Sequence, residues 1–477
     1  MTAAHTDPAD RPSGRRPNVV LINCDDLGYG DLGCYGSTRN ATPTIDRLAD
    51  EGLRFDDFYM ASPVCSPSRG AMLTGCYPPR IGFDSFDGLP VLFPGQGVGL
   101  PTTEITLATM LRDAGYRTQM VGKWHCGDQP GFLPTDHGFD HWFGLPYSND
   151  MGRQAHPTEG PLAPLPGTEP FFLNPLPLML DDAVIEQQPD QAALTERYVT
   201  EAVRFIREAR DEPLFLYFAH LYVHIPLYVQ PRFEAASENG PYGAAVACID
   251  WALAVLLHEL RDLGLDDDTI VVFTSDNGSR GVDGGSNAPL RGAKTSTWEG
   301  GMRVPCIVRW PGTVQAGGTT SEVATSMDLF PTMAALCGAD LPDDRTIDGR
   351  DLGPILRDAS APSPHEAFLY YWMDQLEAVR VGRWKVHYAK HGVERTELYD
   401  LEVDPGETTD VAADHPDVVA ALAVHADAAR ASLGDGLQDR AGADIRPIGR
   451  IADPVPLTAY DPDHPYYLAE YDLTDRG

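Results

Sequence analysis

Five short apolar runs stand out along the chain, each rich in β-branched or aromatic residues: 19–22 (VVLI), 118–121 (TQMV), 214–218 (LFLYF), 270–273 (IVVF) and 306–308 (CIV). Between them apolar positions recur with helical spacing over 105–114, 192–209 and 244–263. Unbroken apolar strands imply burial on both faces, and strands alternating with helices predict an α/β fold, a mostly parallel sheet covered by helices on both sides. In such a sheet ligands bind beyond the carboxyl ends of the strands. The residues just after each run are therefore where chemistry is expected.

The pattern changes from about residue 363. Alternation over 368–372 (FLYYW), 378–381 (AVRV) and 384–388 (WKVHY), around Gly382, predicts an antiparallel sheet. The 477 residues thus divide into a disordered tail, 1–16, a main domain, 17–360, and a smaller C-terminal α+β part, 361–477, ending in an acidic, Pro-containing tail. Two stretches dense in Pro and Gly, 77–101 and 144–190, read as long loops, the usual material of lids, binding loops or surface insertions.

Composition narrows the class. Apolar residues make up 43% and charged residues 22%, with a mean hydropathy of -0.25, as in an ordinary globular protein. The net charge of -34 repels a phosphate backbone and excludes nucleic acid as a partner. No run of about twenty apolar residues is present, so no membrane span is expected. The first seventeen residues are polar, and Arg15-Arg16 is followed by only four apolar residues in a row, so no secretory signal is read there. Eight cysteines without a Cys-x-x-Cys pair fit neither a disulfide framework nor a zinc ribbon, which points to a reducing, cytoplasmic setting.

After the first run comes Asn23-Cys24-Asp25-Asp26-Leu27-Gly28, and after the fourth, Thr274-Ser275-Asp276-Asn277-Gly278. Taken singly, each is the composition of a turn or helix cap. Brought together, three carboxylates and an amide oxygen suit a hard divalent cation, Ca²⁺ or Mg²⁺, and make a poor zinc or iron site. The second run is followed by Lys123-Trp124-His125, whose Lys and His could reach one anion from an extended chain. After the third come His220 and His224, where Pro226 argues against a helical metal pair. In Cys65-Ser66-Pro67-Ser68-Arg69, a turn running into a helix would put Cys65 at an N-terminus that favours anions, with Arg69 one turn on. Chemistry alone leaves open whether Cys65 is a thiolate nucleophile or an inert buried thiol.

Cys65-Ser66-Pro67-Ser68-Arg69 resembles the Cys-x-Pro-x-Arg signature of the type I, formylglycine-dependent sulfatases of the alkaline phosphatase superfamily. The likeness runs from Pro17 to about Asp410. It takes in residues 18–28 and 122–127, Ser275 to Gly278, Gly292-Ala293-Lys294, Trp298-Glu299-Gly300-Gly301, Leu398-Tyr399-Asp400-Leu401 and Asp404-Pro405-Gly406-Glu407. It implies an alkaline phosphatase-like fold and hydrolysis of a sulfate monoester, with Cys65 oxidised to Cα-formylglycine by a generating enzyme acting on the unfolded chain. One hydroxyl of the aldehyde hydrate would attack sulfur, forming a covalent sulfo-enzyme, and the other would expel the sulfate.

By the same resemblance Asp25, Asp26, Asp276 and Asn277, with the modified Cys65, hold Ca²⁺. Arg69 stabilises the hydrate and the carboxylates. Lys123 and Lys294 bind sulfate, His125 takes the hydrate's proton, and His224 or Lys294 protonates the departing alkoxide. His224 is preferred to His220 because it directly precedes x-Pro, and His220 is left structural. Gly144-Leu145-Pro146-Tyr147-Ser148-Asn149-Asp150 resembles the arylsulfatase A-like branch and adds Ser148 beside the sulfate. The cysteines that secreted animal members carry over 151–190 are missing here, in keeping with a cytoplasmic form and against a lipid sulfate.

With a screening length of about 8 Å, the overall negative charge hardly reaches a pocket lined by a cation, Arg69, Lys123 and Lys294. The expected partner is a small-molecule or saccharide sulfate ester, and a homo-oligomer is compatible with the sequence. Two other readings are a phosphonate or phosphodiester hydrolase of the same superfamily, and a non-catalytic binding protein if Cys65 stays unmodified.

Overall fold

The structure, a computed structural model, describes residues 15–153 and 174–466. Most of the expected N-terminal tail lies outside these, but Arg15 and Arg16 are described. Their guanidiniums donate to the carbonyls of Arg210 and Ala114.

Ten strands build the main sheet: β1 (Asn18–Cys24), β2 (Leu53–Phe55), β3 (Arg117–Gly122), β4 (His141–Gly144), β5 (Pro177–Leu180), β6 (Ala183–Gln187), β7 (Leu214–Ala219), β8 (Thr269–Ser275), β9 (Cys306–Arg309) and β10 (Gly318–Thr320). Their spatial order is β10-β2-β9-β8-β1-β7-β3-β4-β5-β6. Strands β8, β1, β7, β3 and β4 run parallel. The fifth apolar run, β9, is antiparallel to β8, a direction that an unbroken apolar stretch does not encode. The stretch read as a loop at 144–190 contributes the antiparallel hairpin β5–β6.

The apolar runs are continuous because alternate residues enter two different cores. Val20 and Ile22 of β1 join Leu216 and Phe218 beneath α4 (Leu194–Ala209) and α5 (Gly240–Asp262), together with α1 (Pro43–Glu51). Val19 and Leu21 join Phe215 and Tyr217 on the other face, beneath α2 (Cys65–Thr74), α3 (Leu107–Asp113) and α6 (Leu329–Cys337). At roughly 1.5–3 kcal/mol per fully buried large apolar side chain, this two-sided burial is the main force holding the sheet. Helix α5 is long and apolar enough to cross a membrane by length and composition alone. Its apolar window is 72% buried in the fold, and its Asp250 accepts from the backbone N–H groups of Thr44 and Ile45 at 2.8 and 2.9 Å, tying it to α1.

The C-terminal part is a four-stranded antiparallel sheet of β11 (Phe368–Trp372), β12 (Gln375–Val381), β13 (Trp384–Lys390) and β14 (Val393–Asp400), backed by α7 (Pro416–Leu433). It is fastened to the main domain by buried charges: Lys385 Nζ lies 2.9 Å from both Glu299 and Glu407. The segment expected to trail off as a tail instead returns across the main domain. Gly449 and Arg450 pair with Gly99 and Val98, and Arg446 forms a two-pronged pair with Glu104 at 2.6 and 2.9 Å. The side-chain amide of Gln129 grips the backbone of Val455 from both sides.

Candidate active site

The ends of β1 and β8 lie side by side, Cys24 opposite Ser275, so the acidic residues that follow each strand must meet. Gly122 at the end of β3 adopts φ +105°, and a Cβ there would stand 1.8 Å from the carbonyl oxygen of Ala219. Only glycine lets β3 end this close to β7. Lys123 and His125 thereby enter at the same edge as Asp25 and Asp26.

Carboxylate oxygens of Asp25, Asp26 and Asp276 and the sulfur of Cys65 lie within 4.8 Å of one another, and all four residues are buried. Asn277 donates from Nδ2 to Asp26 at 2.7 Å, while its buried Oδ1 has no hydrogen-bond partner among the described residues. Three carboxylates and one unpartnered amide oxygen are the donor set of a hard, oxygen-preferring divalent cation. The set would suit Ca²⁺ or Mg²⁺. Burial and the neighbouring Asp25 raise the Asp276 carboxyl, against the pull of Arg69. Burial would also raise Asp26, but Lys294, His224 and Lys123 outweigh it and hold that carboxyl well below its ordinary range.

Cys65 opens α2, with extended Val64 as its N-cap. The sulfur is 3.5 Å from Asp25 Oδ1. Burial pushes the thiol well above its ordinary pKa even though Lys123 and Lys294 pull the other way, the opposite of what a thiolate nucleophile needs. One turn on, Arg69 reaches Asp276 Oδ2 with Nε at 2.8 Å and Nη2 at 2.7 Å, and its Nη1 donates to the Lys123 carbonyl at 2.7 Å.

Lys123 Nζ donates to Asp25 at 2.6 Å, and Lys294 Nζ to Asp26 at 2.9 Å. Lys123 and His125 do not extend side by side as the sequence suggested. His125 has φ +63°, Trp124 between them is fully buried with its Nε1 on the Phe132 carbonyl, and His125 Nε2 meets the Leu92 carbonyl at 2.9 Å. With Asp26 at φ +59°, two non-glycine residues here sit in the left-handed region, at about 1–3 kcal/mol each. His224 Nε2 lies 4.0 Å from Asp26, and burial with Lys294 depresses its pKa to about 4. His220 points elsewhere: its Nε2 meets Thr195 Oγ1 at 3.2 Å and its Nδ1 accepts from the Tyr222 N–H at 3.0 Å.

A cavity of about 440 Å³ opens onto this centre, with Cys65, His125, Ser148, His224 and Lys294 on its wall. Both Pro/Gly-rich stretches supply it, through Val91 and Phe93 on one side and Ser148, Asp150 and Met151 on the other. Arg280 and Val282 also line it and were missed in the sequence. Their only signal was position, just beyond the strand end that carries Asp276 and Asn277.

A protein-family model described as Sulfatase matches residues 17–339, and one described as N-sulphoglucosamine sulphohydrolase, C-terminal, matches residues 293–429. Arylsulfatase A of Homo sapiens is 41% identical over 445 residues, covering 86% of this chain and 86% of that protein. Steryl-sulfatase of Mus musculus is 38% identical over 456 residues, covering 81% and 73% respectively. Among solved structures, the PsFucS1 sulfatase from Pseudoalteromonas sp. superposes with a TM-score of 0.78 at 28% identity, covering 87% of this chain and 90% of that one.

Proposed function

Because the chain belongs to the sulfatase family, hydrolases of sulfate esters, we propose that it cleaves a sulfate monoester using a formylglycine made from Cys65 and a bound Ca²⁺. The observation that carries this reading is the 3.5 Å approach of Cys65 Sγ to Asp25, at a helix N-terminus ringed by Arg69, Lys123 and Lys294. Residue 65, if converted to the aldehyde hydrate, would offer one hydroxyl for attack on sulfur and a second for expelling the bound sulfate. Asp25, Asp26, Asp276 and Asn277 would hold the cation, which would supply fixed positive charge where negative charge develops.

The remaining work falls to this chain's own side chains. Arg69 locks Asp276 and neutralises the carboxylate cluster. Lys123 and Lys294 hold sulfate oxygens, Ser148 hydrogen-bonds the substrate, and the neutral His125 receives the hydrate's proton. His224 or Lys294, both on the cavity wall, protonates the leaving alkoxide. Cys65 is 1% exposed, so the generating enzyme acts before the fold closes. A small-molecule or saccharide ester is the substrate class that we assign.

Mass spectrometry of the tryptic peptide spanning 55–69 tests the central claim. An aldehyde in place of the thiol is expected, and thiol alone in protein from the native host overturns it. Turnover of 4-nitrophenyl sulfate should exceed that of the matching phosphodiester and phosphonate ester. The reverse order would make the chain a phosphorus-ester hydrolase.

A further inference from the structure

Leu92 lies in the 77–101 stretch, and its backbone is gripped from both sides. Its N–H donates to Ser66 Oγ at 3.1 Å, and its carbonyl oxygen is 2.9 Å from His125 Nε2. Ser66 and His125 are 0% and 1% exposed, respectively. A carbonyl oxygen can only accept, so Nε2 must carry the proton, and the neutral ring then has its lone pair on Nδ1. Nδ1 is buried and has no hydrogen-bond partner among the described residues. The ring itself lines the cavity with Cys65 and Lys294.

We propose that Ser66, acting through the backbone of Leu92, is a positioning residue that holds His125 in the Nε2–H tautomer, so that Nδ1 is the atom that accepts the proton when sulfate is released. This rests on the reading of His125 as the base and adds the atom, the tautomer and the residues that set them. In the step concerned, the proton of the remaining hydroxyl moves to Nδ1, and the O–H electron pair becomes the second bond of the regenerated carbonyl. The C–O bond to sulfate breaks, and its pair leaves on the sulfate. The imidazolium so formed keeps its Nε2–H on the Leu92 carbonyl, an orienting role filled in other enzymes by a carboxylate.

Ser66 is the residue next to Cys65 at the start of α2, so this relay ties the base to the same helix end as the modified cysteine. Independent contacts steady the loop. Phe93 N–H donates to Gln96 Oε1 at 2.8 Å and Gly95 N–H to Asp128 Oδ2 at 2.6 Å. Loss of the Ser66 bond should therefore loosen His125 without releasing the loop.

The test is ¹⁵N NMR of histidine-labelled protein, with the His125 signals assigned by their absence in His125→Gln. A pyridine-type Nδ1 and a pyrrole-type Nε2 are expected at neutral pH, and the reverse pattern overturns the proposal. In Ser66→Ala the two signals should move towards each other as the tautomers mix. The kcat, divided by the formylglycine content measured by mass spectrometry, should fall about tenfold with little change in KM, and Ser66→Thr should restore both. Unchanged signals and normalised kcat in Ser66→Ala would refute the relay. Should that variant not fold, the wild-type spectrum and Ser66→Thr decide alone. Thiol at position 65 would remove the proposed function, yet the tautomer would still be read independently.

Discussion

Arg69 grips one oxygen of Asp276 with both Nε, at 2.8 Å, and Nη2, at 2.7 Å, across a separation of 207 residues. Both side chains are wholly excluded from solvent, so neither charge can be left without the other. Arg69→Ala should cost about 3–5 kcal/mol of folding stability, because it strands a buried carboxylate. Denaturant unfolding checks this, and a loss below about 1 kcal/mol would show that the pair contributes little.

Replacing the cysteine itself should separate chemistry from folding. Cys65→Ala removes one small buried group, so it should lower the unfolding temperature by only about 2–4 °C while abolishing turnover of 4-nitrophenyl sulfate. Retained turnover would place the nucleophile elsewhere.

The carboxylate cluster should respond to divalent cations. Ca²⁺ at a hundredfold excess over its Kd should stabilise the fold by about 2.7 kcal/mol, and Asp276→Asn should abolish that gain. Chelation should remove activity, with the order in which Ca²⁺ and Mg²⁺ restore it identifying the ion. Thermal shifts that are equal with and without Asp276 would argue against this site.

Lys294, 2.9 Å from Asp26 on the cavity wall, should matter for the transition state more than for the fold. Lys294→Ala is expected to lower kcat by roughly 10²–10³-fold. A rise in KM alone, with kcat kept, would limit it to ground-state binding.

His220, buried and structural, gives the protein a pH limit. Burial depresses its pKa from 6.5 to about 3, so the unfolded chain binds this proton more readily than the folded one. Its contribution is fully present above about pH 6.5 and is lost as pH falls towards 3. Unfolding free energy should decline below pH 6.5, and His220→Gln should flatten part of that slope. An unaltered slope would place the sensitivity elsewhere.

The sequence exposed what is buried on both sides and hid what lies at edges. Strands β1, β3, β7 and β8 were legible because both their faces are buried and their runs are rich in apolar residues. Strands β2 and β10, three residues each, are too short to show a period. The edge strand β6 and the charged β14 face solvent too much to be patterned, and the buried β5 is only four residues long. Asp25, Asp26, Asp276 and Asn277 could be found because strand ends in a parallel sheet share one rim. The partnership of Leu92 with His125 could not, since it runs through a backbone carbonyl that leaves no mark in residue identity. The returning C-terminal segment was hidden likewise, because much of its hold consists of backbone pairing with Gly97, Val98 and Gly99.

That returning segment bears on the order of events at the ribosome. In chain order Asp25 and Cys65 precede β8 and Asp276 by some two hundred residues, and the strand that lies on Gly99 follows later still. While the nascent chain is still growing, the sulfur therefore has no finished chamber around it. Its surroundings are complete only once β8 has arrived and the returning strand has docked on Gly99, so under the proposed function any conversion of Cys65 would have to precede those steps.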